Sequence, residues 1–254
     1  MADQIKIIYE NNDFLIIDKP SGLLTHPANR QDKSESVVGW LLQKYPEIAQ
    51  VTDKYAFLVG GWADLRPGIV HRLDKETSGL ILIAKNQTTF DYLKNLFQER
   101  KVKKTYIALT YGHLKNTEGL IDLPIGKLPG RAGGTRQTTR IIGKYKLKEK
   151  NAITKYRVLE TYSSPLGDYS LLEVSPLTGR THQIRIHLKS IGHPIVCDKL
   201  YAGRRAICPP GLDRMFLHAK SLSFVSPLGK AVSAEAGLPT ELMGFLEKLQ
   251  KIKK

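Results

Sequence analysis

The sequence predicts one α+β unit built around a large sheet, and three observations point there. Strand-type and helix-type patterns interleave from one end to the other, as in a shared layered core. No internal repeat, low-complexity block or clean linker divides the 254 residues, so one domain over 1–254 is expected. Hydrophobic residues make up 41% of the chain, enough to pack such a core.

Residues 5–9 and 14–18 are short β-type runs around Asn11, Asn12 and Asp13, which reads as a hairpin. Lys19-Pro20-Ser21-Gly22 then breaks the strand. After Ser36, Val37, Val38, Leu41, Leu42 and Tyr45 recur at helical spacing until Pro46. Residues 47–67 are irregular and rich in Gly and Asp, a loop leading into the stretch that follows. Residues 79–85 form a near-continuous apolar run, the pattern of a strand buried on both faces. Thr88 is placed to cap a helix carrying Phe90, Leu93 and Phe97. Residues 104–111, rich in Tyr, Ile and Thr, read as another strand. Residues 127–140 hold Arg131, Arg136 and Arg140 among glycines and read as a mobile basic loop. Strands at 156–162 and 169–174 are joined by turn residues 163–168. From Thr181 the period becomes helical, with Ile184, Leu188 and Ile191 on one face, and Gly192 and Pro194 end it. A last helix, 240–252, starts at Thr240 as N-cap and presents Leu242, Phe245, Leu246 and Leu249.

Lys and Arg number 39 against 24 acidic residues, a net charge of +15 and a pI near 9.7. Such an excess draws polyanions and favours counterion release from phosphates. Cys197 and Cys208 are too few for a disulfide framework and lack paired metal-ligand spacing, so a reducing compartment is the simplest expectation. No signal segment follows Met1, and the longest apolar stretches fall far short of the ~20 residues of a membrane span. A soluble, cytoplasmic protein is expected.

The chemistry concentrates in Arg66-Pro67-Gly68-Ile69-Val70-His71-Arg72-Leu73-Asp74-Lys75-Glu76-Thr77-Ser78-Gly79, which puts an acid among cations just before a buried strand. A carboxylate beside Arg or Lys stays ionised and is suited to act as nucleophile or base. By spacing alone an ordinary loop salt bridge is the simpler reading.

Motifs along the chain change that balance. His71-Arg72-Leu73-Asp74 with Thr77-Ser78-Gly79 resembles the catalytic motif of the RluA-type pseudouridine synthases. Lys104-Thr105-Tyr106 resembles that family's Lys-x-Tyr strand. Pro176-Leu177-Thr178-Gly179 and the run Arg180 to Leu188, followed by Gly192-His193-Pro194, are similar to its C-terminal motif. Asp198-Lys199-Leu200-Tyr201 and Leu217-His218-Ala219 also sit where the family has similar segments. The resemblance covers about 7–239. It implies a mixed, mainly antiparallel sheet flanked by helices and loops around a central basic cleft, and isomerisation of uridine to pseudouridine in a ribosomal or transfer RNA stem-loop. Ile195-Val196-Cys197-Asp198 departs from the family, which usually has Gly before the Asp; a small packing adjustment at Cys197 is expected. Many relatives carry an S4-type RNA-binding domain ahead of the catalytic domain. Here few residues precede the first strand, so RNA capture is expected from the domain's own basic surface.

The resemblance makes Asp74 the catalytic carboxylate, acting on C1′, C2′ or C6 of the nucleotide. It makes Arg185 the buried ion-pair partner of Asp74 and Tyr106 the ring under the target base. Arg72 would fill the gap left by the flipped uridine, offsetting part of the few kcal/mol that flipping costs. His71 and Arg180, with Arg131, Arg136 and Arg140, join Arg72 as candidate RNA contacts, although hydrogen-bonding structural roles suit His71 and His182 better than general-base roles. The reaction requires no metal or redox cofactor, and a monomer is expected. A non-catalytic RNA-binding or ribosome-assembly factor would leave Asp74, Tyr106 and Arg185 without purpose. A hydrolase would want paired carboxylates or metal ligands.

Overall fold

In the computed structural model, residues 2–27, 29, 31–53, 66–129, 135–139, 149–203 and 207–252 are described. The strands are β1 (Lys6–Glu10), β2 (Phe14–Lys19), β3 (Ser78–Ala84), β4 (Lys103–Tyr111), β5 (Glu118–Asp122) and β6 (Gly126–Pro129). They continue as β7 (Thr135–Thr138), β8 (Ile153–Ser164), β9 (Gly167–Pro176), β10 (Leu217–Val225), β11 (Ala231–Glu235) and β12 (Gln250–Lys251). The helices are α1 (Val37–Lys44), α2 (Gln87–Gln98), α3 (Gln183–Ser190) and α4 (Thr240–Glu247). The fold is α+β, as expected. It divides into two compact units, Met1–Lys104 with Ala219–Gly237, and Thr105–His218 with Leu238–Lys254.

In the first unit the strands pair in the order β1-β2-β3-β10-β11. The β1–β2 hairpin forms as expected because the Asn11 side chain accepts from the Asp13 and Phe14 amides, closing the turn at 2.9 and 2.8 Å. Every residue of β3 is buried, as its apolar run predicts. Its register on β2 sets Gly79 opposite Lys19 and Ala84 opposite Phe14. Ser36 caps α1 through Gly39 N at 3.1 Å. Asn86, not Thr88, caps α2, accepting from Thr89 N at 2.9 Å; Thr88 lies inside the first turn.

In the second unit the order is β4-β9-β8-β12, with β5 also on β8. The β8–β9 hairpin turns between Ser164 and Gly167, where the sequence places it. Leu109, Tyr169, Phe216, Leu242 and Phe245 are among its buried core residues. The stretch expected as a mobile basic loop instead pairs β6 with β7, Leu128 facing Arg136 in register. Arg131 and Arg140 lie outside the described residues. Helix α3 begins at Gln183 rather than Thr181, because His182 at φ 55° is its N-cap. Helix α4 stops at Glu247, short of the expected 252, and the chain past it pairs with β8 as β12. Pro239, not Thr240, is its N-cap.

Cys197 corrects a further expectation. It is fully buried, sits at φ 62°, and is joined in a disulfide to Cys208, so it is not merely a packing residue. That left-handed backbone favours glycine. Among the described residues no helix is long and apolar enough to cross a membrane.

Candidate active site

In the first unit, the segment after β2 grips the loop that carries Asp74. Lys19 is fully buried, and its ammonium donates to the carbonyls of Pro20, Leu23 and Lys75 at 2.8, 2.9 and 3.1 Å. Gly22 N adds a second bond to Lys75 O at 2.8 Å, and Ser21 Oγ donates to Glu76 O at 2.7 Å. Thr25 Oγ1 donates to Leu73 O at 2.8 Å and accepts from Leu73 N at 3.3 Å. Thr77 N closes the turn onto Asp74 O at 3.1 Å. The main chain is therefore held on both sides of Asp74, whose residue is half-buried between exposed Lys75 and buried Leu73. Carbonyls are good partners for a buried ammonium, which without them would lose its charge.

The neighbouring side chains sort by partner. Arg72 is exposed, and its Nη1 lies 3.0 Å from His26 Nε2. The His71 ring stacks on Phe97 with centroids 4.6 Å apart and accepts from Leu82 N at 2.9 Å through Nε2. Burial, with the nearby Lys104 charge, pulls His71 down to about 3, so its ring is neutral. The Lys104 ammonium lies 5.6 Å from the Phe97 ring centre, and burial lowers its pKa as well. His71, counted among candidate RNA contacts, thus commits its imidazole to bracing the loop against β3 and α2.

In the second unit, Tyr106 is a buried β4 residue facing Val174 of β9. Arg185, on the first turn of α3, is buried against Asp198. Nε reaches Oδ2 and Nη2 reaches Oδ1, both at 2.8 Å. The same Oδ1 accepts from Leu200 N and Tyr201 N at 3.0 Å. The guanidinium also lies over the Tyr201 ring at 5.1 Å, and Tyr201 OH is 2.8 Å from His182 Nδ1. Gln183 fixes the start of α3. Its Oε1 accepts from Thr178 Oγ1 and Arg180 N, and its Nε2 donates to Ile153 O and Thr154 Oγ1. Arg180 is half-buried and donates through Nε to Asn151 O. His187 is buried between Thr154 Oγ1 and Leu123 O, and burial lowers its pKa. The side chain of Arg136 lies outside what is described, as do Arg131 and Arg140.

The first unit thus brings Arg72, His71 and Asp74 together on one braced loop, and the second places Arg180 and Arg185 around the start of α3. Sequence reasoning missed Lys19, Thr25 and His26 behind the loop, and the part played by Asp198 and Tyr201 around Arg185. The Asp198-Lys-Leu-Tyr segment carried a usable signal, since an Asp that opens a turn commonly accepts the amides two and three residues on.

A family model for RNA pseudouridylate synthase matches residues 13–190. The chain is 41% identical over 234 residues to an RNA pseudouridine synthase of Chloroflexus aurantiacus, covering 92% of this chain and 66% of that protein. It is 38% identical over 259 residues to the ribosomal large subunit pseudouridine synthase D of Nitrosomonas europaea, covering 99% of this chain and 67% of that one. The chain therefore spans about two thirds of the length of either relative. Among solved structures, human RNA pseudouridylate synthase domain containing 1 superposes with a TM-score of 0.73 at 26% identity, covering 99% of this chain and 90% of that one.

Proposed function

This chain belongs to the RNA pseudouridylate synthase family, and on that premise we propose that it converts a uridine of ribosomal RNA to pseudouridine with Asp74 as the catalytic carboxylate. The chain acts as one catalytic domain, monomeric and cytoplasmic. The observation that carries this reading is the braced loop. Its main chain is fixed at Leu73, Lys75 and Glu76, with half-buried Asp74 between them.

The reaction breaks the bond from C1′ to N1, turns the uracil over, and joins C1′ to C5, while C5 loses a proton and N1 gains one. An ionised carboxylate held within reach of the nucleoside serves that sequence, and fixing its position in advance lowers the entropy cost of attack. Arg185, held by Asp198, is the buried guanidinium assigned to the reaction. Tyr106 offers a ring face to the flipped base and a hydroxyl near C5. Arg72 stacks into the gap the uridine leaves, and Arg180 with the cations around β6 and β7 contacts phosphates. Ribosomal RNA is favoured over transfer RNA by the name of the Nitrosomonas europaea relative.

The test uses RNA tritiated at uracil C5. The wild-type protein should release tritium to water with the RNA chain intact, and Asp74→Asn should abolish release while still binding RNA, because phosphate contacts dominate affinity. Release by the variant at the wild-type rate would remove Asp74 from the chemistry. Mapping pseudouridines in cells with and without the gene identifies the RNA.

A further inference from the structure

We infer that His26 is a positioning residue that holds the Arg72 guanidinium in a defined orientation beside the catalytic loop, ready to enter the stack as the uridine leaves. The inference rests on the reading of Arg72 given above and adds the residue that aims it.

The hydrogen bonds fix how the imidazole works. Arg72 Nη1 has only protons to offer, so His26 Nε2, 3.0 Å away, must accept. Nδ1 then carries the ring proton and donates to Pro27 O at 2.7 Å. That carbonyl selects the tautomer whose lone pair faces Arg72. His26 is 8% exposed, and its burial, with the charges of Arg66 and Arg72, takes it down to about 4. The ring is neutral at physiological pH and keeps its acceptor.

The surroundings make this an aiming contact. One residue along, Thr25 bonds to both the amide and the carbonyl of Leu73, so the backbones at 25–26 and 72–73 are locked in register. The His26 ring is buried and tied to Pro27, whereas Arg72 is exposed at the tip. A free arginine side chain samples many rotamers, and one bond to a fixed acceptor removes much of that freedom before RNA arrives. A single bond from one nitrogen also leaves the rest of the guanidinium open to a base or phosphate, and it is weak enough to exchange during flipping.

The test compares His26→Gln, whose amide oxygen can still accept, with His26→Met, which fills similar space without a comparable acceptor. Flipping is read from the fluorescence of 2-aminopurine placed beside the target uridine in a stem-loop, and chemistry from single-turnover tritium release. His26→Met should slow both by roughly tenfold, the size of a coupling in direct contact, with RNA Kd and thermal unfolding near wild type. His26→Gln should recover most of the loss. In an Arg72→Ala background the His26→Met effect should vanish. Additive losses, or flipping at the wild-type rate in His26→Met, would overturn the inference. If Arg72→Ala alone leaves flipping and release unchanged, the reading of Arg72 fails first, which separates the two claims.

Discussion

Gly79→Ala tests how tightly the catalytic loop depends on the strand behind it. Gly79 sits five residues after Asp74, at φ 112°, where β3 runs beside Ala219 of β10. A Cβ there would meet Ala219 O at 2.3 Å and Ala219 N at 2.6 Å, both backbone atoms, against an ordinary contact distance of 3.4 Å. No side-chain rotation relieves such an overlap; the two strands must separate by about 1 Å, enough to break hydrogen bonds between chains normally 4.7–4.9 Å apart. Overpacking of this kind costs about 1–3 kcal/mol and the left-handed backbone about 1–3 more, so a loss near 4 kcal/mol is expected. Gly229→Ala is the control: its φ is 74° with nothing within 4 Å of the added carbon, so it carries the backbone cost alone. Urea unfolding followed by circular dichroism measures both. Because Gly79 pairs with Lys19 across β2 and β3, tritium release by the remaining folded Gly79→Ala protein should also fall. A loss below about 1 kcal/mol, or one equal to that of Gly229→Ala, would show that the close approach to Ala219 is not what requires glycine.

Asp198→Ala removes a fully buried carboxylate that accepts two bonds from Arg185 and two from backbone amides, and should destabilise the protein by about 3–5 kcal/mol in urea unfolding. Cys208→Ser opens the bridge to Cys197, 11 residues away, and should cost about 2–3 kcal/mol under non-reducing conditions, after which dithiothreitol should have no further effect. Acid should also destabilise the fold. His26 and His71 titrate at about 4 and 3 when folded but near 6.5 when unfolded, so the unfolded chain binds more protons between those values. Their contribution is complete above pH 6.5 and drains as pH falls through that window, by about 2 kcal/mol each at pH 5. His187, lowered in the same direction, adds to the loss. Urea titrations at pH 8 and pH 5 check the sign, and equal stabilities would refute it.

What could be read from the sequence was the chemistry carried by clustered side chains. His71 to Asp74 and the run from Arg180 to Leu188 are dense enough to be recognised without a fold, and the β3 run could be read because burial on both faces leaves no polar position. The supporting residues were hidden for a physical reason. Lys19 stands in a Lys-Pro-Ser-Gly segment that looks like solvent-facing loop, and only the return of the chain at residues 73–76 supplies the carbonyls that make burying an ammonium affordable. Asp198 reads as a turn residue, which it is, yet its other face meets an arginine 13 residues earlier. Strand β10 was missed because Lys220 interrupts its run, leaving only Ser221 to Phe224 to alternate polar with buried apolar, and β12 because two residues carry no periodicity.

The grip on the Asp74 loop has a consequence for what this site can tolerate. Its contacts from Lys19, Ser21, Gly22 and Thr25 end on the main-chain atoms of Leu73, Lys75 and Glu76, which every residue type possesses. The loop can therefore keep its shape while the side chains at 72 and 75, both exposed, change to suit an RNA. Stability is carried by the main chain at 73, 75 and 76, and recognition by exposed side chains beside it. Changes to the gripping side chains should reduce stability and activity together, whereas changes at Arg72 or Lys75 should alter activity alone. Two relatives could thus share one loop geometry and select different uridines, because what varies is presented on a frame that does not depend on it.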